Sequence, residues 1–119
     1  MAEHNDVGIA GENLAAAWLQ QQGYELLHRN WRSGPYEIDI IAKKGRQLHF
    51  IEVKARRASP VGFPEDKVSR KKFRHLKRAA DEFLFRNPGY KWIQYDIVSI
   101  TFHRYKDPDI FLLEDVFLQ

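Results

Sequence analysis

Two β-branched, apolar runs, "YEIDIIA" at 36–42 and "QLHFIEVKA" at 47–55, flank the short polar stretch "KKGR". This pair constrains the fold more than any other feature of the chain. Runs of that length around a glycine-containing turn form a β-hairpin. Their apolar content reads as two interior strands of a sheet rather than edges. Four ionisable residues nevertheless interrupt them: Glu37, Asp39, Glu52 and Lys54. A charge on such a strand needs either a solvent face or a chemical role.

The elements around the hairpin supply its cover. "GENLAAAWLQQQG" is alanine-rich with Leu14, Ala17 and Trp18 at helical spacing, so a helix is expected over about 9–22, with Gly23 as its C-cap. "YELLHRNWR" reads as a first strand, ended by the turn signal "SGP" at 33–35. After the hairpin, "RRASPVGFPED" carries two prolines and a glycine and reads as a loop. A second helix is expected over about 66–86, with Val68, Phe73, Leu76, Ala80, Phe83 and Leu84 on one stripe. "NPG" at 87–89 stops it, and "KWIQYDIVSITF" and "DIFLLEDVF" read as two more strands. The expected order is α-β-β-β-α-β-β. This is an α/β fold with a mixed sheet and a helix on each face, spanning residues 1–119 as one domain.

Composition narrows the function classes. The chain has no cysteine, which excludes disulfides and thiolate metal sites and fits a reducing compartment. Its N-terminal stretch lacks the basic-then-apolar pattern of a secretory signal, and no apolar run reaches the roughly 18 residues of a membrane span. A cytoplasmic protein without membrane contact is expected. The five histidines show no metal-ligand spacing, and Trp18, Trp31 and Trp92 read as core or strand residues. The formal net charge is only +3, but it is unevenly spread. Residues 54–78 hold ten Lys/Arg against two acids, a net of +8, and the remainder of the chain is −5. The polar side of the second helix carries Arg70, Lys71, Arg74, Lys77 and Arg78, with no acid from Val68 to Ala80. An ordinary solvated helix face can look like this, but the uninterrupted positive stripe favours contact with a phosphate backbone.

Alternation along a strand puts Glu37 and Asp39 on one face of the first hairpin strand, and Glu52 and Lys54 on one face of the second. Pairing outward from the turn sets Asp39 nearly opposite Glu52, with Lys54 beside them. Two carboxylates suit a hard cation such as Mg²⁺, completed by waters and a substrate phosphate. Such an ion lowers the pKa of bound water and stabilises charge on a reacting phosphoryl group, and a nearby lysine can orient the water. On an exposed face, Glu52 and Lys54 would instead be a solubilising ion pair, and Asp39 a solvent-facing break. Asp96, in "YDIVSI", reads as a strand-capping or packing residue. Glu12 falls in the first turn of the expected helix, where the macrodipole by itself favours an acid.

The landmarks "GENLAAAWLQQQGYELLHRNWR", "EIDIIA", "FIEVKARR", "VSRKKFRHLKRAADEFL" and "YDIVSI", in this order over roughly 8–102, resemble the YraN-like bacterial proteins. That family is assigned to the PD-(D/E)XK nuclease superfamily. The resemblance implies a restriction-endonuclease-like fold, with the superfamily's Asp on Asp39 and its Glu-x-Lys on Glu52 and Lys54. It also implies an auxiliary acid from the first helix, here Glu12, as a further metal ligand or base. The chain departs from the family's usual Gly-Glu-Ile-Asp at Tyr36, which sets a ring where a glycine normally stands. Archaeal Holliday-junction resolvases are similar members.

The expectation is therefore a Mg²⁺- or Mn²⁺-dependent endonuclease acting on DNA, with branched or structured DNA as one substrate class. Asp39, Glu52 and Glu12 would hold the metal, and Lys54 would position water or phosphate. Arg56, Arg57 and the second-helix stripe (Arg70, Lys71, Arg74, Lys77, Arg78) would grip the backbone. The alternatives are a nucleic-acid-binding module that keeps the nuclease fold without turnover, and a protein-interaction domain whose basic helix meets an acidic partner. Oligomeric state stays open, with the resolvase resemblance suggesting a homodimer.

Overall fold

The computed structural model describes residues 2–59 and 69–116, with side chains from residue 6. Its elements are α1 (Ala2–Gln21), β1 (Glu25–Ser33), β2 (Tyr36–Lys44), β3 (Gln47–Arg57), α2 (Arg70–Arg86), β4 (Trp92–Phe102) and β5 (Asp109–Leu113). This is the expected α-β-β-β-α-β-β order. The five strands form one sheet in the order β1-β2-β3-β4-β5, so the hairpin strands β2 and β3 are interior. All neighbours are antiparallel except β3 and β4, whose parallel pairing runs unbroken from Gln47↔Trp92 to Arg57↔Phe102. A parallel pair requires a crossover, and α2 belongs to it.

Each face of the sheet carries one helix. Phe73, Leu76, Ala79, Ala80 and Phe83 of α2 bury against Ile38, Ile41, Leu48 and Phe50. On the other face Ala15, Ala16 and Leu19 of α1 bury against Ile40, Ala42, Ile51, Val98 and Ile100. Phe83 anchors the first layer, with edge-on ring contacts to His28, Trp31 and Phe50 at 5.4–5.8 Å. A fully buried aromatic of this kind contributes about 1.5–3 kcal/mol through apolar burial alone. Trp18 and Trp31 are half-buried, whereas Trp92 begins β4 with 60% of its surface exposed.

Both helices differ from their expected bounds at the N-terminal end. α1 starts at Ala2 rather than near residue 9 and runs straight through Gly8 and Gly11. Gly11 reads as a weak helix position, but its role is close approach: a Cβ there would overlap the Cβ of Ala55 on β3. α2 starts at Arg70, because Ser69 is its N-cap and its hydroxyl accepts from the Lys72 N–H at 3.1 Å. The earlier part of the expected helix, including Val68, lies outside the described residues, as does most of the proline-containing loop. β5 stops at Leu113, short of the expected run to Phe117, which also lies outside the described residues.

One irregularity positions the site. Ile38 packs on the α2 side and Ile40 on the α1 side, although residues two apart on a regular strand share a face. β1 does the same: His28 and Trp31 both meet Phe83, while Arg29 and Asn30 both turn to α1. Asn30 has φ 53°, a left-handed conformation that asparagine tolerates better than most residues. The flanking pairs Arg29↔Ile40 and Trp31↔Ile38 set Asn30 opposite Asp39. Both strands thus turn over at the same level, and Asp39 sits at the turnover.

Candidate functional site

The β2–β3 ladder ends at Ile40↔Ile51, and beyond it the strands part. The next backbone donor on β3 is satisfied by a side chain, with the Val53 N–H donating to Asp39 Oδ2 at 2.8 Å. Extending the register sets Glu52 opposite Asp39, as the hairpin reading expected. Glu52 is buried, 5% exposed, and its Oε2 lies 2.6 Å from Lys72 Nζ. The two carboxylates stand in a cleft of about 860 Å³ bounded by α1, the β1–β2 turn, the ends of β2 and β3, and the start of α2.

Glu12 lines the same cleft from α1. It is the eleventh residue of the helix, not part of its first turn, so the macrodipole does not account for it. Its placement follows from Gly11, which brings α1 down onto Ala55 and leaves the next side chain over the cleft. Glu12 Oε1 accepts from Asn30 Nδ2 at 2.7 Å and from Arg29 Nη2 at 3.2 Å, and Arg29 also donates to Asn13 at 2.7 Å. The turnover in β1 aims both donors at α1. At the rim Glu37 pairs with Arg32 at 3.2 Å.

The electrostatics of the cleft follow from burial. Asp39 is pushed up to about 7, first by burial and then by the Glu52 charge, with smaller contributions from Glu12 and Glu37. The Val53 N–H works against these but does not cancel them. For Lys72, desolvation pulls the ammonium down. Its hydrogen bond to Glu52 and the charges of Glu52, Asp39 and Glu37 outweigh that, and its pKa lies above the ordinary lysine value. When both acids are ionised, one lysine facing two carboxylates leaves the centre a charge short of neutral.

The donor set suits a hard cation. Mg²⁺ typically takes one or two carboxylates and fills its shell with water and phosphate oxygens, and the crowded pair Asp39/Glu52 offers that with a repulsion that a cation relieves. Among the described residues, no three acidic or histidine side chains gather into a ready-made ion cage. Glu12 therefore shares the cleft while tied to Arg29 and Asn30, and does not converge on the pair.

Of the basic residues read from the sequence, Arg70, Lys71, Arg74 and Arg78 are exposed on α2 and Lys77 is half-buried; Arg56 and Arg57 end β3. Lys54 is half-buried on β3 and does not line the cleft. Among the described residues the lysine that does is Lys72, which sequence reasoning passed over. The only signal for it was its place among three consecutive cations opening α2. Tyr36, in place of the family's glycine, is half-buried and packs its ring on His75 at 4.8 Å, so it forms a wall of the cleft with α2.

Asp96 has the packing role expected of it. It is fully buried, close to His49 Nδ1 at 2.5 Å, and accepts from Gln94 Nε2 and the Asp115 N–H at 2.9 Å each. His49 in turn meets the Tyr24 ring edge-on at 5.0 Å. Burial, then the Asp96 and Glu114 charges, raise the Tyr24 hydroxyl above its usual pKa.

A mixed sheet between two helices, with an acid at the strand turnover and a second acid on the adjoining strand, defines the restriction-endonuclease-like class of α/β proteins. The family described as Uncharacterised protein family UPF0102 matches residues 11–100, and the chain belongs to it. Similar members include UPF0102 proteins of Bacteroides thetaiotaomicron, 41% identical over 84% of this chain and 83% of the relative. One from Flavobacterium psychrophilum is 40% identical over 98% of both chains, and one from Rhodococcus jostii is 39% identical over 98% of this chain and 100% of its own. No helix among the described residues is long and apolar enough to cross a membrane.

Proposed function

We propose that the protein is a metal-dependent nuclease that hydrolyses phosphodiester bonds of DNA, with branched or structured DNA as the substrate class to examine first. The observation that carries this reading is the pairing of half-buried Asp39 with buried Glu52 in an open cleft beside the basic start of α2. Mg²⁺ or Mn²⁺ held by Asp39 and Glu52 would supply Lewis acidity towards a phosphate oxygen and a water of lowered pKa. Val53, through its N–H, fixes the Asp39 carboxylate in the orientation that faces Glu52. Glu12, itself held by Arg29 and Asn30, adds negative charge to the cleft and would be the auxiliary acid of the site. Arg70, Lys71, Arg74, Lys77 and Arg78, with Arg56 and Arg57, would hold the phosphate backbone. Lys54 belongs to the reading as a phosphate contact at the β3 end.

The test is cleavage of branched and linear DNA with Mg²⁺ or Mn²⁺ by wild type, Asp39→Ala and Glu52→Ala. Loss of cutting in both variants is expected, and equal cutting by all three proteins would sink the assignment.

One observation favours a second reading, a nucleic-acid-binding module without turnover: Lys72 already neutralises Glu52. That module would bind DNA in a salt-dependent way and take up no Mn²⁺ at the acid pair, an outcome that calorimetry reads directly.

A further inference from the structure

Three cations, Arg70, Lys71 and Lys72, open α2, and its first turn contains no acid. The helix macrodipole opposes this arrangement, since the N-terminal turn favours negative charge. Arg70 and Lys71 are solvated. Lys72 is different. About half of its side chain is exposed, yet its ammonium reaches in to a carboxylate whose own side chain is 7% exposed, at 2.6 Å. A lysine placed only for solubility would extend away from the helix start. This one spans from the surface to Glu52 and lines the cleft, while Lys54, two residues along the same strand as Glu52, does not.

We propose that Lys72 is the lysine of this site: an internal counter-ion that holds Glu52 until a divalent cation takes its place, and that then turns to a substrate phosphate. The proposal rests on the metal-site reading above. Charge balance beside a buried carboxylate drives the exchange. Asp39 and Glu52 together carry up to two negative charges, and one ammonium neutralises one of them. A divalent ion matches both and makes the ammonium surplus. The freed lysine sits on the first turn of α2, beside Arg70 and Lys71. A phosphate at the acid pair is then an anion within its reach, while Glu37 in the same cleft is already paired with Arg32. Metal and lysine thus compete for Glu52 when substrate is absent and cooperate when a phosphate is present.

The test is Mn²⁺ titration of the full-length protein by calorimetry and electron paramagnetic resonance, using wild type, Lys72→Met, Lys72→Arg and Lys54→Met. Removing the competing ammonium is expected to tighten Mn²⁺ binding roughly tenfold in Lys72→Met. Lys72→Arg should stay near wild type, and Lys54→Met should change affinity less than Lys72→Met. With Mn²⁺ present, Lys72→Met should also bind a non-cleavable phosphorothioate oligonucleotide more weakly than wild type. Unchanged or weakened Mn²⁺ binding in Lys72→Met, with its thermal melt showing a folded protein, overturns the proposal and leaves the nuclease reading standing. Tightened Mn²⁺ binding without any DNA cleavage by wild type supports the lysine exchange and removes the nuclease reading.

Discussion

The protein buries acids in two places and treats them in opposite ways. Around Asp96, donors fixed by the fold meet the carboxylate: a backbone N–H from the end of the sheet, a side-chain amide and an imidazole. Around Asp39 and Glu52, the partners among the described residues are one backbone N–H and one lysine on a half-exposed arm. The first acid is finished within the fold. The second pair has fewer such donors and stands beside a cleft, the arrangement on which the proposed metal site rests.

The difference is breakable, and the largest effect belongs to the finished acid. Asp96→Ala strands His49, Gln94 and the Asp115 N–H, and should cost about 3–5 kcal/mol of stability in equilibrium urea unfolding. Gly11→Ala comes next. It drives α1 away from Ala55 at a cost of about 2–3 kcal/mol, and should weaken Mn²⁺ binding by displacing Glu12 along with the helix.

Asp39→Asn should have the opposite sign. The folded-state value of Asp39, about 7, is raised above its ordinary 3.8. The proton-linked stability is therefore fully present below about pH 4 and is lost as pH rises towards 7. The neutral variant escapes that loss. It should exceed wild type by about 1–2 kcal/mol at pH 8, match it at pH 4, and bind no Mn²⁺. A destabilised Asp39→Asn at pH 8 would place Asp39 with Asp96 among the structural acids. The smallest effect is Arg32→Ala, which removes a rim partner of Glu37 and should change stability by less than about 0.5 kcal/mol.

Much of this was legible in the sequence. The hairpin, its interior position and the facing of Asp39 and Glu52 follow from β-branched runs around one turn, because strand register propagates outward from a short loop. The basic face of α2 and the family also emerge from local patterns. What was hidden depended on contacts between distant segments. Lys72 looks like any cation in a run until α2 is laid over β3. Gly11 reads as a poor helix residue until Ala55 is beneath it. The half-turn at Asn30 and Asp39 breaks the alternation on which strand arguments depend, and its one local sign is an asparagine, a residue type that tolerates the left-handed conformation but does not require it. The packing role read for Asp96 holds, but its partners His49 and Asp115 come from other parts of the chain and could not be named from the sequence.

The parallel pairing of β3 with β4 has a consequence for how the site comes into being. Asp39 and Glu52 lie on one hairpin and come together as soon as that hairpin closes, which takes microseconds in isolated peptides. Lys72 lies beyond Arg57, on the crossover that links β3 to its parallel partner β4. Non-local closures of this kind are slow. The mutual repulsion of the two acids is thus present early and its compensation arrives late, so cleft assembly and completion of the sheet are one event. On the proposed metal-site reading, divalent ions added during refolding should speed that event, which refolding kinetics with and without Mn²⁺ would measure.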